Sequence, residues 1–142
     1  MGFGMNEERA IVVKNQLSEL ERVSRDVEAF GEHHGLPANA IFSVNLALDE
    51  ILTNVISYGY VEGGQHDIVL RLSLAAGELV VQVEDDGRAF NPLELRLPDM
   101  DKPLEERPIG GLGIHLVRKL MDRLEYRREA GRNVLVMAKA VH

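Results

Sequence analysis

The sequence has no cysteine, which excludes disulfide bonds, thiolate metal sites and a cysteine nucleophile. It has no apolar run close to the roughly 20 residues that a helix needs to cross a bilayer. Its N-terminus also lacks the basic and then apolar pattern of a signal peptide. From these absences we expect a cytoplasmic protein with no membrane partner.

Basic residues are few relative to acidic ones. The chain of 142 residues carries 23 Asp and Glu against 16 Lys and Arg, so its formal net charge is −7. Because proteins bind nucleic-acid phosphates through clustered Lys and Arg, we expect no nucleic-acid partner. A protein partner, or an anionic ligand held together with a divalent cation, fits this balance better. The length suits one domain over residues 1–142 and is too short for two full ones.

Hydrophobic periodicity predicts an α+β domain with helices stacked on one face of a mixed, mostly antiparallel sheet. Ser18 and Glu21 have the spacing of a capping box at the start of the first helix. Gly59 supplies a stop for the second helix, where a left-handed residue is useful. In chain order, the predicted elements are a strand within 8–14, helices over 18–32 and from 36 to 59, strands at 67–74 and 78–84, a long loop over 85–108 with one helical turn near 93–95, a helix at 114–121, and strands at 123–129 and 133–139.

The second predicted helix carries Glu50 and Asn54 one turn apart on the same face. An amide oxygen is a ligand that Mg²⁺ accepts beside waters and substrate phosphates. A carboxylate one turn earlier can orient or deprotonate an attacking hydroxyl. The alternative is that both side chains are solvated surface residues, which is the better interpretation of an isolated Glu-x-x-x-Asn.

A carboxylate stands at the end of the second predicted strand of the first hairpin. Residues 79, 81 and 83 are apolar and share one strand face with Asp85. Asp85, and not Glu84 or Asp86, should therefore point towards the core. There it can accept a hydrogen bond from the exocyclic amine of a buried ligand. Asp-Gly is also a common turn pair, so simple chain reversal is the alternative.

Glycines at 110, 111 and 113 stand just before the third predicted helix. Such glycines let backbone amides approach phosphate oxygens, and the helix N-terminus adds partial positive charge there. The segment matches neither the Lys-containing phosphate loop nor the dinucleotide fingerprint, so a flexible hinge is the alternative. The long loop before it holds four prolines and no apolar period, and loops of this length are usually functional or disordered.

Taken together, the three segments resemble the N, G1 and G2 boxes of the GHKL ATPase superfamily, whose fold is called the Bergerat fold and is a two-layer α/β sandwich. Within it, the chain is similar over nearly its whole length to the bacterial anti-sigma factor serine/threonine kinases. One small departure is an alanine where the G1 box often ends in glycine. The matching patterns are Glu50-x-x-x-Asn54, Asp85-x-Gly87-x-Ala89 and Gly111-x-Gly113.

The resemblance implies ATP and Mg²⁺ as cofactors. By it, Glu50 is the catalytic base, Asn54 ligates Mg²⁺ and Asp85 binds the adenine amino group. The segment of about 91–110 becomes the ATP lid, longer than in the best-known members. The remaining positions implied for the nucleotide pocket are Gly87, Ala89, Gly111, Leu112 and Gly113.

The same resemblance implies a partner switch. Such a kinase phosphorylates a serine of an anti-sigma factor antagonist, a STAS-type protein, and holds a sigma factor or similar regulator. Arg22 matches a partner-contacting arginine, and a homodimer is compatible with the family. The alternative is a nucleotide-binding interaction module without kinase turnover. The catalytic domain of a histidine kinase is not expected, because the chain leaves no room for a dimerisation helix pair with a phospho-accepting His.

Overall fold

The computed structural model describes residues 8–94 and 111–141. Within these residues the element order is the predicted one, and short 3-10 turns occur at Leu17–Glu19 and Pro92–Glu94. The second of these turns matches the helical turn expected near 93–95, whereas the rest of the expected lid lies outside the described residues. The strands are β1 (Glu8–Lys14), β2 (Asp67–Ala75), β3 (Glu78–Asp85), β4 (Arg123–Glu129) and β5 (Arg132–Ala140), and the helices are α1 (Leu20–His33), α2 (Ala38–Tyr58) and α3 (Gly111–Leu120).

The described strands form one sheet in the order β1-β2-β3-β5-β4. Every neighbouring pair is antiparallel, so the α+β prediction is confirmed while the sheet is simpler than the mixed one expected. Tight hairpins account for two of these four pairs. Ala76 and Gly77 turn β2 into β3 with φ of 50° and 78°, and Ala130 and Gly131 turn β4 into β5 with φ of 53° and 77°. Positive φ at both central residues is the backbone of a two-residue hairpin that matches strand twist.

The helices cover one face of the sheet, and α2 lies at the centre of the core. On β3, buried and half-buried residues alternate, which gives the strand one core-facing side. Leu48, Ile51 and Leu52 of α2 are at most 1% exposed and belong to the same apolar cluster. Among the described helices, α2 is the one long and apolar enough to span a membrane by length and composition alone. The buried side of α2 belongs to the apolar core of this domain.

The capping box expected at Ser18 does not form. A 3-10 turn at Leu17–Glu19 comes first, α1 begins at Leu20, and neither start has a side-chain cap. The capping-box prediction was therefore wrong, because Ser18 lies inside the 3-10 turn and Glu19 is the residue that precedes α1.

Glu19 links β1 to α1 instead. Its Oε1 accepts a hydrogen bond from the backbone N–H of Lys14 at 2.9 Å and another from Nη2 of Arg22 at 2.9 Å. Arg22 also donates to the carbonyl oxygen of Val12 at 2.8 Å. Arg22, expected to contact a partner, is thus half-exposed and already held by β1 and by its own helix.

Gly59 ends α2 at the predicted place but not in the predicted conformation. Its φ of −80° and ψ of −23° are right-handed, so the expected left-handed residue is wrong. A Cβ at this position would lie 2.6 Å from the carbonyl oxygen of Val55. Close backbone approach, and not an unusual dihedral, therefore favours glycine here.

Replacing Glu19 with Gln tests the link between β1 and α1. The hydrogen bonds from Arg22 and then Lys14 lower the pKa of Glu19 to about 2 from its usual 4.5. A carboxylate with a lowered folded-state pKa stabilises the fold above the unfolded pKa and loses that effect as the pH falls through the folded one. Urea unfolding should show that Glu19→Gln costs about 1 kcal/mol at pH 7 after allowance for solvent screening. The difference from wild type should shrink between pH 4.5 and about 2.

The matched control is Glu21→Gln, since Glu21 forms an exposed pair with Arg25 on the same helix. That change should stay within about 0.5 kcal/mol of wild type. Equal losses in both variants, or a loss at Glu19 that does not depend on pH, would contradict the account.

Candidate functional site

A cavity lies where the C-terminal half of α2 meets the ends of β3 and β5. Three buried polar side chains, Asn54, Asp85 and Asn133, stand in its wall among apolar ones. They are also the polar residues that the described part of the chain buries most completely. The full described lining is Ile51, Asn54, Val55, Gly59, Val83, Asp85, Arg88, Phe90, Pro92, Tyr126, Asn133 and Leu135.

The cavity is narrow in this structure. It holds about 390 Å³ of empty space including its open mouth, but only about 20 Å³ can contain the centre of a water molecule. That is close to the space one ordered water needs. A larger ligand enters only if the walls move. Arg88, Phe90 and Pro92 line the cavity from the loop after β3, where the expected lid begins.

Asp85 points into the core side as the strand alternation predicted, and it is 3% exposed. Its Oδ1 accepts hydrogen bonds from the backbone N–H of Gly87 at 2.9 Å and from Nδ2 of Asn133 at 3.0 Å. Its Oδ2 has no hydrogen-bond donor among the described residues. Burial raises the pKa of Asp85, although both hydrogen bonds act in the opposite direction. The cavity therefore contains one carboxylate oxygen that is free to accept a hydrogen bond.

Asn133 is the residue that sequence reasoning missed. It pairs with Asp85 across the β3–β5 ladder, and its Nδ2 also donates to the carbonyl oxygen of Arg88 at 2.8 Å. Its Oδ1 accepts from the hydroxyl of Tyr126 at 2.5 Å and from the backbone N–H of Phe90 at 3.3 Å. One amide thus holds the carboxylate, the turn after β3 and the neighbouring strand together. A polar residue on the core-facing side of a hydrophobic strand was the available signal.

The turn after β3 packs directly against the end of α2. The backbone N–H of Arg88 donates to the carbonyl oxygen of Gly59 at 2.9 Å. A Cβ on Gly87 would lie 2.7 Å from that same oxygen and 3.0 Å from Oδ1 of Asp85. Arg128 of β4 closes the other side by donating to the carbonyl oxygen of Gly87 at 2.9 Å. Ala89, expected in the pocket, is exposed and is not among the described lining residues.

Asn54 and Glu50 lie on the same side of α2 but meet different neighbours. Asn54 is 5% exposed, lines the cavity, and its Nδ2 is buried without a hydrogen-bond partner among the described residues. Glu50 is half-buried and faces the start of α3, where a Cβ on Gly113 would lie 1.9 Å from its Oε2. Glycine at 113 therefore leaves the space that the Glu50 carboxylate occupies.

The start of α3 differs from the prediction. The helix begins at Gly111, so Gly111, Leu112 and Gly113 form its first turn and do not precede it. The amides of a first helical turn still lack partners within the helix. The structure thus brings Asn54 and Asp85 to one cavity, and Glu50 to the first turn of α3 on the neighbouring part of α2.

Gly87→Ala tests the close packing of this turn. The added methyl would meet the backbone oxygen of Gly59, which cannot swing aside as a side chain can. We expect a loss of about 1–3 kcal/mol in the free energy of unfolding, measured by urea denaturation. Ala89→Ser, in the same turn but exposed, is the control and should change stability by less than about 0.5 kcal/mol. Wild-type stability of Gly87→Ala would show that the turn is looser than described.

Comparison with known proteins gives a consistent assignment. The model of the histidine kinase-like ATPase domain family matches residues 13–139. The serine/threonine-protein kinase BtrW of Bordetella bronchiseptica is 31% identical over 96 residues, which is 68% of each chain. The serine-protein kinase RsbW of Bacillus cereus is 30% identical over 106 residues, which is 72% of this chain and 66% of that protein.

Solved structures support the same fold. The structure of the RsbU and RsbW domains of a Mycobacterium tuberculosis protein aligns with a TM-score of 0.67 and 16% identity, over 94% of this chain and 32% of that one. A histidine kinase domain from Erythrobacter litoralis aligns with a TM-score of 0.57 and 20% identity, over 88% of this chain and 60% of that one. At these identities the likeness establishes the fold alone. With the family model covering most of the residues, the chain belongs to the histidine kinase-like ATPase domain family, and its curated relatives are named as serine-protein kinases.

Proposed function

We propose that this protein is an ATP- and Mg²⁺-dependent serine/threonine protein kinase of a cytoplasmic partner-switching system. Its substrate is a serine of a STAS-type anti-sigma factor antagonist, and it also binds a sigma factor or similar regulator. The observation that carries the proposal is the buried cavity with Asp85 and Asn54 in its wall, next to the contact between Glu50 and Gly113. The names of the curated relatives favour a protein serine as the phosphoryl acceptor.

Asp85 is the proposed contact for the adenine base. Gly87 and Asn133 already occupy its Oδ1, so Oδ2 is left to accept from the exocyclic amine. The apolar lining, including Ile51, Val83 and Leu135, suits the flat faces of a purine, because ligand sites combine apolar walls with a few polar groups. Entry of the base requires Phe90 and Pro92 to move outwards, which gives the lid a physical role.

Asn54 fits the proposed Mg²⁺ site. Nδ2 of its buried amide has no hydrogen-bond partner among the described residues. Rotation of the side chain exchanges the positions of the amide nitrogen and oxygen, so the oxygen can take this place. A carbonyl-type oxygen beside substrate phosphates is a common environment for this ion. Bound there, the ion supplies positive charge to the phosphates. The free amides in the first turn of α3 would add further donors to phosphate oxygens.

Glu50 is the proposed catalytic base. It lies one turn before Asn54 on α2 and beside the first turn of α3, so the acceptor serine and the phosphates would meet between these two helices. There the carboxylate would accept the proton of the serine hydroxyl while positioning and charge neutralisation provide most of the rate. Glu50 is not among the described residues that line the cavity. A binding module that transfers no phosphoryl group could show the same separation of Glu50 from the cavity. A measurement of phosphoryl transfer therefore distinguishes the two functions.

Asp85→Asn tests the nucleotide site. The new side chain can keep the contacts of Oδ1 but presents an N–H₂ donor to the donor amine of adenine. We expect binding of a non-hydrolysable ATP analogue with Mg²⁺, measured by calorimetry, to weaken about 10–100-fold. Asp86→Asn is the control, because Asp86 is exposed and lies outside the cavity lining. Unchanged affinity in Asp85→Asn would move the adenine contact elsewhere.

Glu50→Gln tests phosphoryl transfer separately from binding. The amide keeps the size of the side chain but cannot take a proton, so analogue affinity should stay within about twofold. Phosphorylation of the purified antagonist protein should fall about 10²–10⁴-fold, followed with labelled ATP. Glu62→Gln, an exposed loop change, serves as the control. Wild-type transfer by Glu50→Gln would remove Glu50 from catalysis, and no transfer by the wild type would favour the binding module.

A further inference from the structure

A second concavity, here called the α1–α2 groove, runs between these two helices. It encloses about 1180 Å³ of space including its open side, and none of its described lining residues lines the cavity described above. At the base of the groove the helices touch, since a Cβ on Gly31 of α1 would lie 2.1 Å from Cδ1 of Ile41 of α2. The floor is therefore closed, and the groove opens to solvent.

The groove exposes apolar surface. Phe42 is 65% exposed although it is one of the largest apolar side chains on α2. It lies among partly buried Leu36 and Leu46 and above buried Ile41. A single exposed apolar residue is ordinary, whereas a cluster in a concave surface marks an interaction site.

The rim of the groove is acidic. Glu28 and Glu32 of α1 and Asp49 of α2 line it, and no Lys or Arg stands among the described lining residues. None of the three carboxylates forms an ion pair within the described chain. Other acids of α1 are paired, as in the 3.0 Å contact of Glu21 with Arg25. Partial loss of solvent around its carboxylate raises the pKa of Asp49, although much of the residue is exposed.

We propose that the α1–α2 groove is a docking site for a basic amphipathic helix of another protein. The helix would place an apolar side chain against Phe42 and Ile41, with Lys or Arg residues facing Glu28, Glu32 and Asp49. A groove between two helices accepts a third helix by its apolar face, and the flanking charges set its orientation. A second copy of this chain is a poor occupant, since a symmetric pairing through the groove would bring like-charged rims together. The groove is separate from the proposed nucleotide site.

An NMR titration tests this proposal on the whole chain. The probe is a synthetic helical peptide of Lys and Leu with one apolar face, and the matched peptide has Glu in place of Lys. Amide shifts on adding the Lys peptide should saturate and concentrate on α1 and α2 around the groove. The Glu peptide should leave them unchanged, and about 1 M salt, which shortens electrostatic range to roughly 3 Å, should weaken the binding.

Two variants sharpen the result. Phe42→Ala and Asp49→Asn should each weaken binding of the Lys peptide about tenfold. Both residues are exposed, so neither change should unfold the protein and cause the loss of binding in that way. Val61→Ala is the control, because Val61 is 75% exposed but lies outside the groove. Absence of binding, shifts spread over the whole acidic surface, or equal weakening by the control would overturn the proposal. So would concentration-dependent self-association that Phe42→Ala abolishes.

Discussion

The hydrogen bond between Asp85 and Asn133 is the contact on which the site depends. Burying a carboxylate is costly unless donors compensate for the lost water. Here two donors converge on one of its oxygens, at 2.9 and 3.0 Å, so the other oxygen can remain available. The β3–β5 register places Asn133 opposite Asp85. Oδ1 of Asn133 also accepts a hydrogen bond from the backbone N–H of Phe90. The pairing of β3 with β5 therefore positions both the proposed adenine contact and the start of the loop that covers it.

The α2 helix joins the core to the chemistry. Ile51 and Leu52 pack in the apolar cluster, and Asn54, close to them in sequence, is turned to the cavity. A single rigid element therefore sets the distance between the sheet-borne carboxylate and the helix-borne amide. At its end, the absence of a side chain on Gly87 allows the turn after β3 to approach the carbonyl oxygen of Gly59. Because core and site share one helix, changes that loosen α2 should also disturb the pocket.

The sequence predicted the parts of this arrangement that depend on local periodicity. Strand alternation was sufficient to select Asp85 over Glu84 and Asp86, and helical spacing was sufficient to place Glu50 and Asn54 on one face of α2. Asn133 was not predicted, because its role arises from a pairing between strands 48 residues apart. A polar residue on the core side of a strand marks the position, but the register between β3 and β5 is needed to pair it with Asp85.

Two local rules marked the position of a helix end but not its conformation. Ser18 and Glu21 have the spacing of a capping box, but a 3-10 turn comes first and Glu19 precedes α1 without a side-chain cap. Gly59 ends α2, but its φ is right-handed, and a Cβ there would crowd the carbonyl oxygen of Val55 in the last turn of the same helix. In both cases the residue type was informative about where the helix begins or ends, while the backbone conformation differed from the expected one.

A crystal structure with a non-hydrolysable ATP analogue and Mg²⁺ is the most direct test of the central claim. We expect the exocyclic amine of adenine at about 3 Å from Oδ2 of Asp85, with Asn133 still bonded to Oδ1 and with Phe90 and Pro92 displaced from the cavity. An adenine bound elsewhere, or a bound nucleotide with this cavity still closed, would contradict it.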